Sequence, residues 1–189
     1  MKRRKALQLA AWAGAIGMLA GCGDQRVANK GNLEHALNRD YSVKADCLFD
    51  KPLPFPYELS VSNPLLSETR HRLDALVEAG LLTRDQRPEG QEIVNHYSMT
   101  EKGSQVKGHG RFCYGSRQVT SIEKFTPPVD YQGMPLTKVE YHFVIKDGAS
   151  WAQQDEIRNA FPNVAKSLQQ EPVDDATLVL TENGWELTY

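Results

Sequence analysis

The chain has 189 residues, with 22 Lys+Arg against 24 Asp+Glu and a formal net charge of −2. That length suits one domain or two small packed lobes. The near-balanced charge provides no basic footprint for nucleic acid.

The chain opens with a basic cluster, Lys2, Arg3, Arg4 and Lys5, then an apolar run from Ala6 to Met18, then Leu19-Ala20-Gly21-Cys22. Ala6 to Gly21 is 16 residues with one strongly polar interruption, Gln8. A spanning helix takes about 20 apolar residues, so the run is short for a span and suits the apolar core of a secretory signal. Ala20 and Gly21 leave an uncluttered backbone for a peptidase. The motif resembles the lipobox of bacterial lipoprotein precursors. That resemblance implies that residues 1–21 are a signal peptide cleaved before Cys22. It also implies that the Cys22 thiol receives a diacylglyceryl group and the new amino terminus is acylated. This covalent lipid on Cys22 is the one non-protein group expected, and two acyl chains anchor a protein stably. The alternative is a short uncleaved anchor or a buried helix. Residue 23 is Gly rather than Asp, which by the same resemblance implies transport to the periplasmic face of the outer membrane rather than retention at the inner membrane.

Without the four basic residues of the signal, 18 Lys+Arg stand against 24 Asp+Glu, a net charge of −6. Cys47 and Cys113 remain as an even pair, which in an oxidising compartment reads as a disulfide. A bridge of that span constrains the unfolded chain by roughly 4 kcal/mol on the entropic model. Two buried thiols or a reactive pair are the alternatives, although no C-x-x-C spacing occurs.

Residues 22–32 are polar and unpatterned and read as a flexible tether. A first lobe is expected over 33–107. Leu33 to Leu37 suits a short helix continuing toward Tyr41. Lys51 to Tyr57 alternates proline with apolar residues and is extended, as a strap over the domain's own core or a ligand for a partner. The clearest helix runs from Pro64 to Ala79, with Asn63 as N-cap, Pro64 at the first position and Gly80 at C′. Leu66, Leu73, Leu76 and Val77 share its inner face. Leu81 to Arg84 reads as a strand, Asp85 to Gln91 as a charged loop, Ile93 to Met99 as a second strand, and Thr100 to Gly103 as a helical start.

Leu73-x-x-Leu76-Val77-x-Ala79-Gly80-Leu81-Leu82, followed by Tyr97-Ser98-Met99-Thr100-Glu101-Lys102-Gly103, resembles the helix-plus-wing half of bacterial winged-helix regulators over residues 64–105. In those families the helix enters the DNA major groove and the wing touches the backbone. Arg70, His71, Arg72, Arg84 and Arg87 are the basic candidates for that role. The anchor and the acidic charge argue instead for the same shape used as a scaffold or docking surface.

The second lobe, 108–189, begins at a flexible joint, Lys107 to Gly110, and packs with the first as one globular unit. Arg111 to Phe125 is a long strand in which Cys113 and Val119 share one phase and Ile122 the other, so a bulge is expected between them. In Lys138 to Lys146, Val139, Tyr141, Phe143 and Ile145 face one way and Lys138, Glu140 and His142 the other, as in an antiparallel sheet with one wet face. Ser150 to Gln153 has capping-box spacing, and Pro162 must kink or split the helix that follows. Asn183-Gly184 predicts a terminal hairpin that sets Leu180 against Leu187 and Leu178 against Tyr189. The fold class is α+β, antiparallel hairpins with a few short helices.

Chemistry is sparse. His35, His71, His96, His109 and His142 occur singly, so no metal site is expected. Gly115-Ser116 reads as strand rather than nucleophile, and Asp174-Asp175 as a solvated turn. Gly108-His109-Gly110-Arg111 reads as linker more readily than as an anion-binding loop. No catalytic residue is assigned. The expected function is a non-enzymatic, membrane-anchored envelope lipoprotein that binds another envelope protein or supports an assembly, with no nucleic acid. The alternative is an envelope enzyme or ligand binder, for example acting on peptidoglycan, with a site assembled from scattered residues.

Overall fold

The computed structural model describes residues 24–188. The expected signal peptide, Cys22 and Tyr189 lie outside the described residues. The architecture is α+β, built on two antiparallel sheets. In chain order the elements are helix α1 (Lys30–Ser42), strands β1 (Asp46–Cys47) and β2 (Tyr57–Ser60), and a 3-10 turn (Pro64–Leu66) leading into α2 (Ser67–Glu78). A hairpin, β3 (Leu82–Glu89) and β4 (Glu92–Met99), and the short α3 (Glu101–Ser104) complete the first half. Then come β5 (Cys113–Phe125), β6 (Val129–Tyr131) and β7 (Met134–Lys146). A second 3-10 turn (Ser150–Gln153), α4 (Asp155–Ala160), α5 (Pro162–Ser167), β8 (Val173–Thr181) and β9 (Gly184–Leu187) end the chain.

The larger sheet runs β1-β5-β7-β8-β9, with β6 paired to β7 beyond the end of β5. Its inner face presents Val119, Ile122, Val139, Tyr141, Phe143, Leu178 and Trp185, and α1 covers them with Leu33, Ala36 and Leu37. The bulge falls at the expected place: the β5–β7 register shifts between Val119 and Ser121. Asn38 of α1 reaches this irregularity. Its Oδ1 accepts from Val119 N at 2.8 Å, and its Nδ2 donates to Val119 O at 3.0 Å, so backbone groups beside the bulge are not left unpaired under a helix.

The smaller sheet, β2-β4-β3, packs with α2. Leu73 and Leu76 of α2 meet Leu59, Leu81, Leu82 and Tyr97, and the far side is closed by Ile157, Phe161 and Val164 of the later helices. Phe112, Tyr114 and Trp151 bring this core against the start of β5. The Pro-rich segment is a strap over the chain's own core: Leu53 and Phe55 pack there, and the Phe55 ring meets Phe112 edge-on at 5.9 Å. Asn63 caps the 3-10 turn rather than α2, with Leu65 N donating to its Oδ1 at 3.0 Å; α2 follows from Ser67 without a side-chain cap and ends before Gly80 at φ 73°.

Several expectations need correction. The tether of 22–32 is not loose from Asp24 onward. Val27 N donates to Asp24 O, Asn32 Nδ2 donates to the carbonyls of Asp24 and Val27, and α1 already begins at Lys30. The charged stretch Asp85 to Glu89 is strand, paired with Glu92 to His96. Charge misled there because β3 is an edge strand, which tolerates exposed charges and Pro88. Ser150 is not the N-cap of a box; the chain makes a 3-10 turn and then two short helices split at Pro162, the break that proline imposes. The terminal hairpin is shifted by two: Leu180 faces Trp185 and Leu178 faces Leu187, because Glu182 and Asn183 form the loop while Gly184 pairs with Thr181. A shift of two keeps the same side chains inward. The joint at Lys107 to Gly110 is fixed in place: Leu53 N donates to Gly110 O, and Gly108 has φ 97°, where a Cβ would run into Cys113 Sγ.

Candidate functional site

Cys47 and Cys113 are bridged, joining β1 to the first residue of β5. The bridge holds β1 on the edge of the larger sheet and fastens the segment that leads into the strap. Beside it opens a cleft of about 330 Å³, reached by Lys102, Gln105 and Lys107 from the first half and by Ser116, Asp147 and Trp151 from the second. Lys102 is partly committed, since its Nζ donates to Ala79 O at 2.8 Å and closes the end of α2. The cleft therefore offers Lys107, a hydroxyl and an acid on a floor that includes Tyr114, whose phenol pKa is raised by burial. Asp147 in its wall has φ 52°.

On the inner face of the larger sheet lies an ionic cluster that pattern reading missed. Arg117 donates through Nη1 to Tyr141 Oη at 2.9 Å and to Asp174 Oδ2, and through Nη2 to Asp46 Oδ1 at 3.2 Å. Its guanidinium lies 4.0 Å from the centre of the Phe143 ring. Tyr141 Oη in turn meets Tyr41 Oη at 2.7 Å. Burial works to lower the Arg117 pKa, but the Tyr141 phenol oxygen, the Asp46 carboxylate and the Asp174 hydrogen bond outweigh it and the net shift is upward. Burial raises the Asp46 carboxyl against the opposing pull of Arg117, and burial with the Tyr141 hydrogen bond raises the Tyr41 phenol. Asp174, read as part of a solvated turn, is a strand residue of β8. The cluster ties β1, α1, β5, β7 and β8 together. The missed signal was phase: Arg117 is two residues from Val119, so it points where Cys113 and Val119 point, and a charge at that phase requires buried partners.

The half formed by α2 and the β2-β4-β3 sheet carries its own polar network. Arg84 Nη1 and Tyr97 Oη both donate to Asp74 Oδ1, at 2.7 and 2.8 Å, while Asn95 Nδ2 donates to Tyr97 Oη at 3.1 Å. Burial, then the Asp74 hydrogen bond, pushes the Tyr97 phenol up to about 12. The arginines considered for phosphate contact are engaged within the chain. Arg72 pairs with Glu68, Arg84 with Asp74 and Arg87 with Asp85, and Arg70 donates to the carbonyls of Ser60 and Val61.

Two of the five histidines meet carboxylates. His142, on the open face, meets Glu123 at 2.7 Å, and that hydrogen bond raises the imidazole and lowers the carboxyl. His96 sits between Glu58, 3.4 Å from Nδ1, and Glu89, 2.9 Å from Nε2. Glu89 lies off the line of the ring nitrogen, which makes no aligned hydrogen bond. Among the described residues these three could gather on a cation, a contact that spacing along the sequence did not suggest because β2, β3 and β4 each supply one residue. Both glutamates are about half exposed. His109 lies between Gly108, set against Cys113, and Gly110, set against Leu53, at the disulfide end of β5, whereas His142 pairs with Ser121 and Glu140 with Lys124 further along that strand.

No protein-family model, curated protein or solved structure matches this chain.

Proposed function

We propose that this protein is a non-enzymatic envelope lipoprotein, anchored through lipid on Cys22, whose helix-and-wing lobe meets another envelope protein. One placement carries the reading. Arg26 Nη1 donates to Thr181 O at 3.2 Å, so the chain four residues after Cys22 lies at the β8–β9 turn. The core of α2 and the small sheet joins the larger sheet at its other end, through Phe112, Tyr114 and Trp151. β5 and β7 are 13 residues each, so at about 3.3 Å per residue they span roughly 40 Å between those ends. An anchor at one end and a lobe at the other suit a protein that presents that lobe away from a lipid surface. The Cys47–Cys113 bridge suits an oxidising compartment. Leu65, 89% exposed, and Ile93, 47% exposed, are apolar side chains that the lobe offers to a partner. The outer membrane is the proposed location, on the strength of Gly23 after the anchor cysteine.

The test is site-specific photo-crosslinking in intact cells. A crosslinker at Leu65 or Ile93 of the full chain should give a discrete protein adduct. If those positions give none while cell-wall material binds the protein, the second reading prevails. That reading is a ligand binder or enzyme using the cleft beside the disulfide, and the convergence of Lys107, Ser116 and Asp147 there favours it over any other site for such a role.

A further inference from the structure

We propose that the β6–β7 hairpin is a second contact with the lipid surface, an apolar foot beside the anchored end of the chain. This rests on the reading that Cys22 carries lipid. Val129, Tyr131 and Met134 are 65%, 59% and 47% exposed. The hairpin register sets Tyr131 opposite Met134 and Val129 opposite Leu136. Opposed residues of an antiparallel pair project from one face, so the four side chains form a continuous apolar surface. The acid within this hairpin is turned away. Asp130 alternates to the other face, and its Oδ1 accepts from Gly133 N at 3.0 Å within the turn.

Register also places this foot beside the chain entry. β7 and β8 pair from His142↔Val173 to Leu136↔Val179. Two residues further along each strand lie Met134 and Thr181, so the β6–β7 turn and the β8–β9 turn occupy the same end of the sheet. Thr181 is the residue that receives Arg26. Cys22 is two positions before Asp24, and two residues reach at most about 7 Å. Lipid on Cys22 therefore brings this end of the sheet to the bilayer. The occupant that the foot meets there is the lipid interface itself. Tyr131 suits that layer, where an aromatic body with a polar tip is favoured. A protein partner would find the same surface facing the anchor rather than the compartment.

The experiment uses the processed, lipidated protein in phosphatidylcholine nanodiscs containing lipid brominated near the headgroup. Tyr131→Trp and Leu65→Trp are made separately. Leu65 is exposed in the lobe at the other end, and the native Trp151 and Trp185 are buried and common to both. Bromolipid should quench the added fluorescence several-fold more strongly in Tyr131→Trp than in Leu65→Trp, and Val129→Ser with Met134→Ser should reduce that difference. Equal quenching in a protein whose mass shows lipid on Cys22 overturns the foot and leaves the anchor standing. Absence of lipid on Cys22 overturns both. Detergent-solubilised protein that self-associates through Val129 and Met134, without quenching in nanodiscs, assigns the surface to a second copy and also overturns the proposal.

Discussion

Arg117 lies face-on to the Phe143 ring at 4.0 Å while Asp46 and Asp174 hold its edge. The aromatic ring and the two carboxylates share one cation, so the hydrophobic face of β7 and the acids of β1 and β8 depend on a single side chain.

Arg117→Ala should leave Asp46 and Asp174 facing each other without a counter-charge. Removing one partner of a buried pair costs about 3–5 kcal/mol. Asp174 keeps 35% exposure and Arg117 only 13%, so solvent screening places the loss near the lower end, about 3 kcal/mol. Denaturant unfolding measures it. Arg117→Met with Asp46→Asn and Asp174→Asn should recover much of the loss, since the charges then leave together.

Asn38→Ala should cost about 1–3 kcal/mol, because both Val119 N and Val119 O lose their partner under α1. Amide exchange at Val119 should accelerate in the variant while exchange in β3 and β4 stays unchanged.

Reducing the Cys47–Cys113 bridge should lower stability by roughly 4 kcal/mol on the entropic model. Melting with and without reductant gives the value, and the Cys47→Ala/Cys113→Ala protein should match the reduced form.

The His142–Glu123 pair is exposed and sets a pH signature rather than a large stability. His142 is raised from 6.5, so its contribution is complete below 6.5 and is lost as pH rises through the raised value. Glu123 is lowered from 4.5, so its contribution is present above 4.5 and is lost as pH falls through the lowered value. The pair is therefore strongest between those two ordinary values. NMR titration of the His142 ring should give a midpoint above 6.5, and Glu123→Gln should bring it down.

Where one face of an element is apolar and the other wet, the sequence was readable. Alternation in β7, the phase change between Val119 and Ile122, the Asn63–Pro64 helix start and the split at Pro162 all follow from local rules. Register was less readable: the terminal hairpin slipped by two because Asn183-Gly184 marks a turn without saying which two residues form its loop. Asp85 to Glu89 looked like loop because an edge strand can be charged on both faces. The Arg117 cluster was hidden because its five members lie on five elements that only the folded sheet brings together. The Glu58–Glu89–His96 group was hidden for the same reason.

The intact mass of the protein extracted from the membranes of cells that produce it decides whether Cys22 carries lipid. Lipid anchoring gives the mass of a chain that begins at Cys22 and carries a diacylglyceryl group and an amide-linked acyl chain. A chain still bearing residues 1–21, with Cys22 a free thiol, would contradict it.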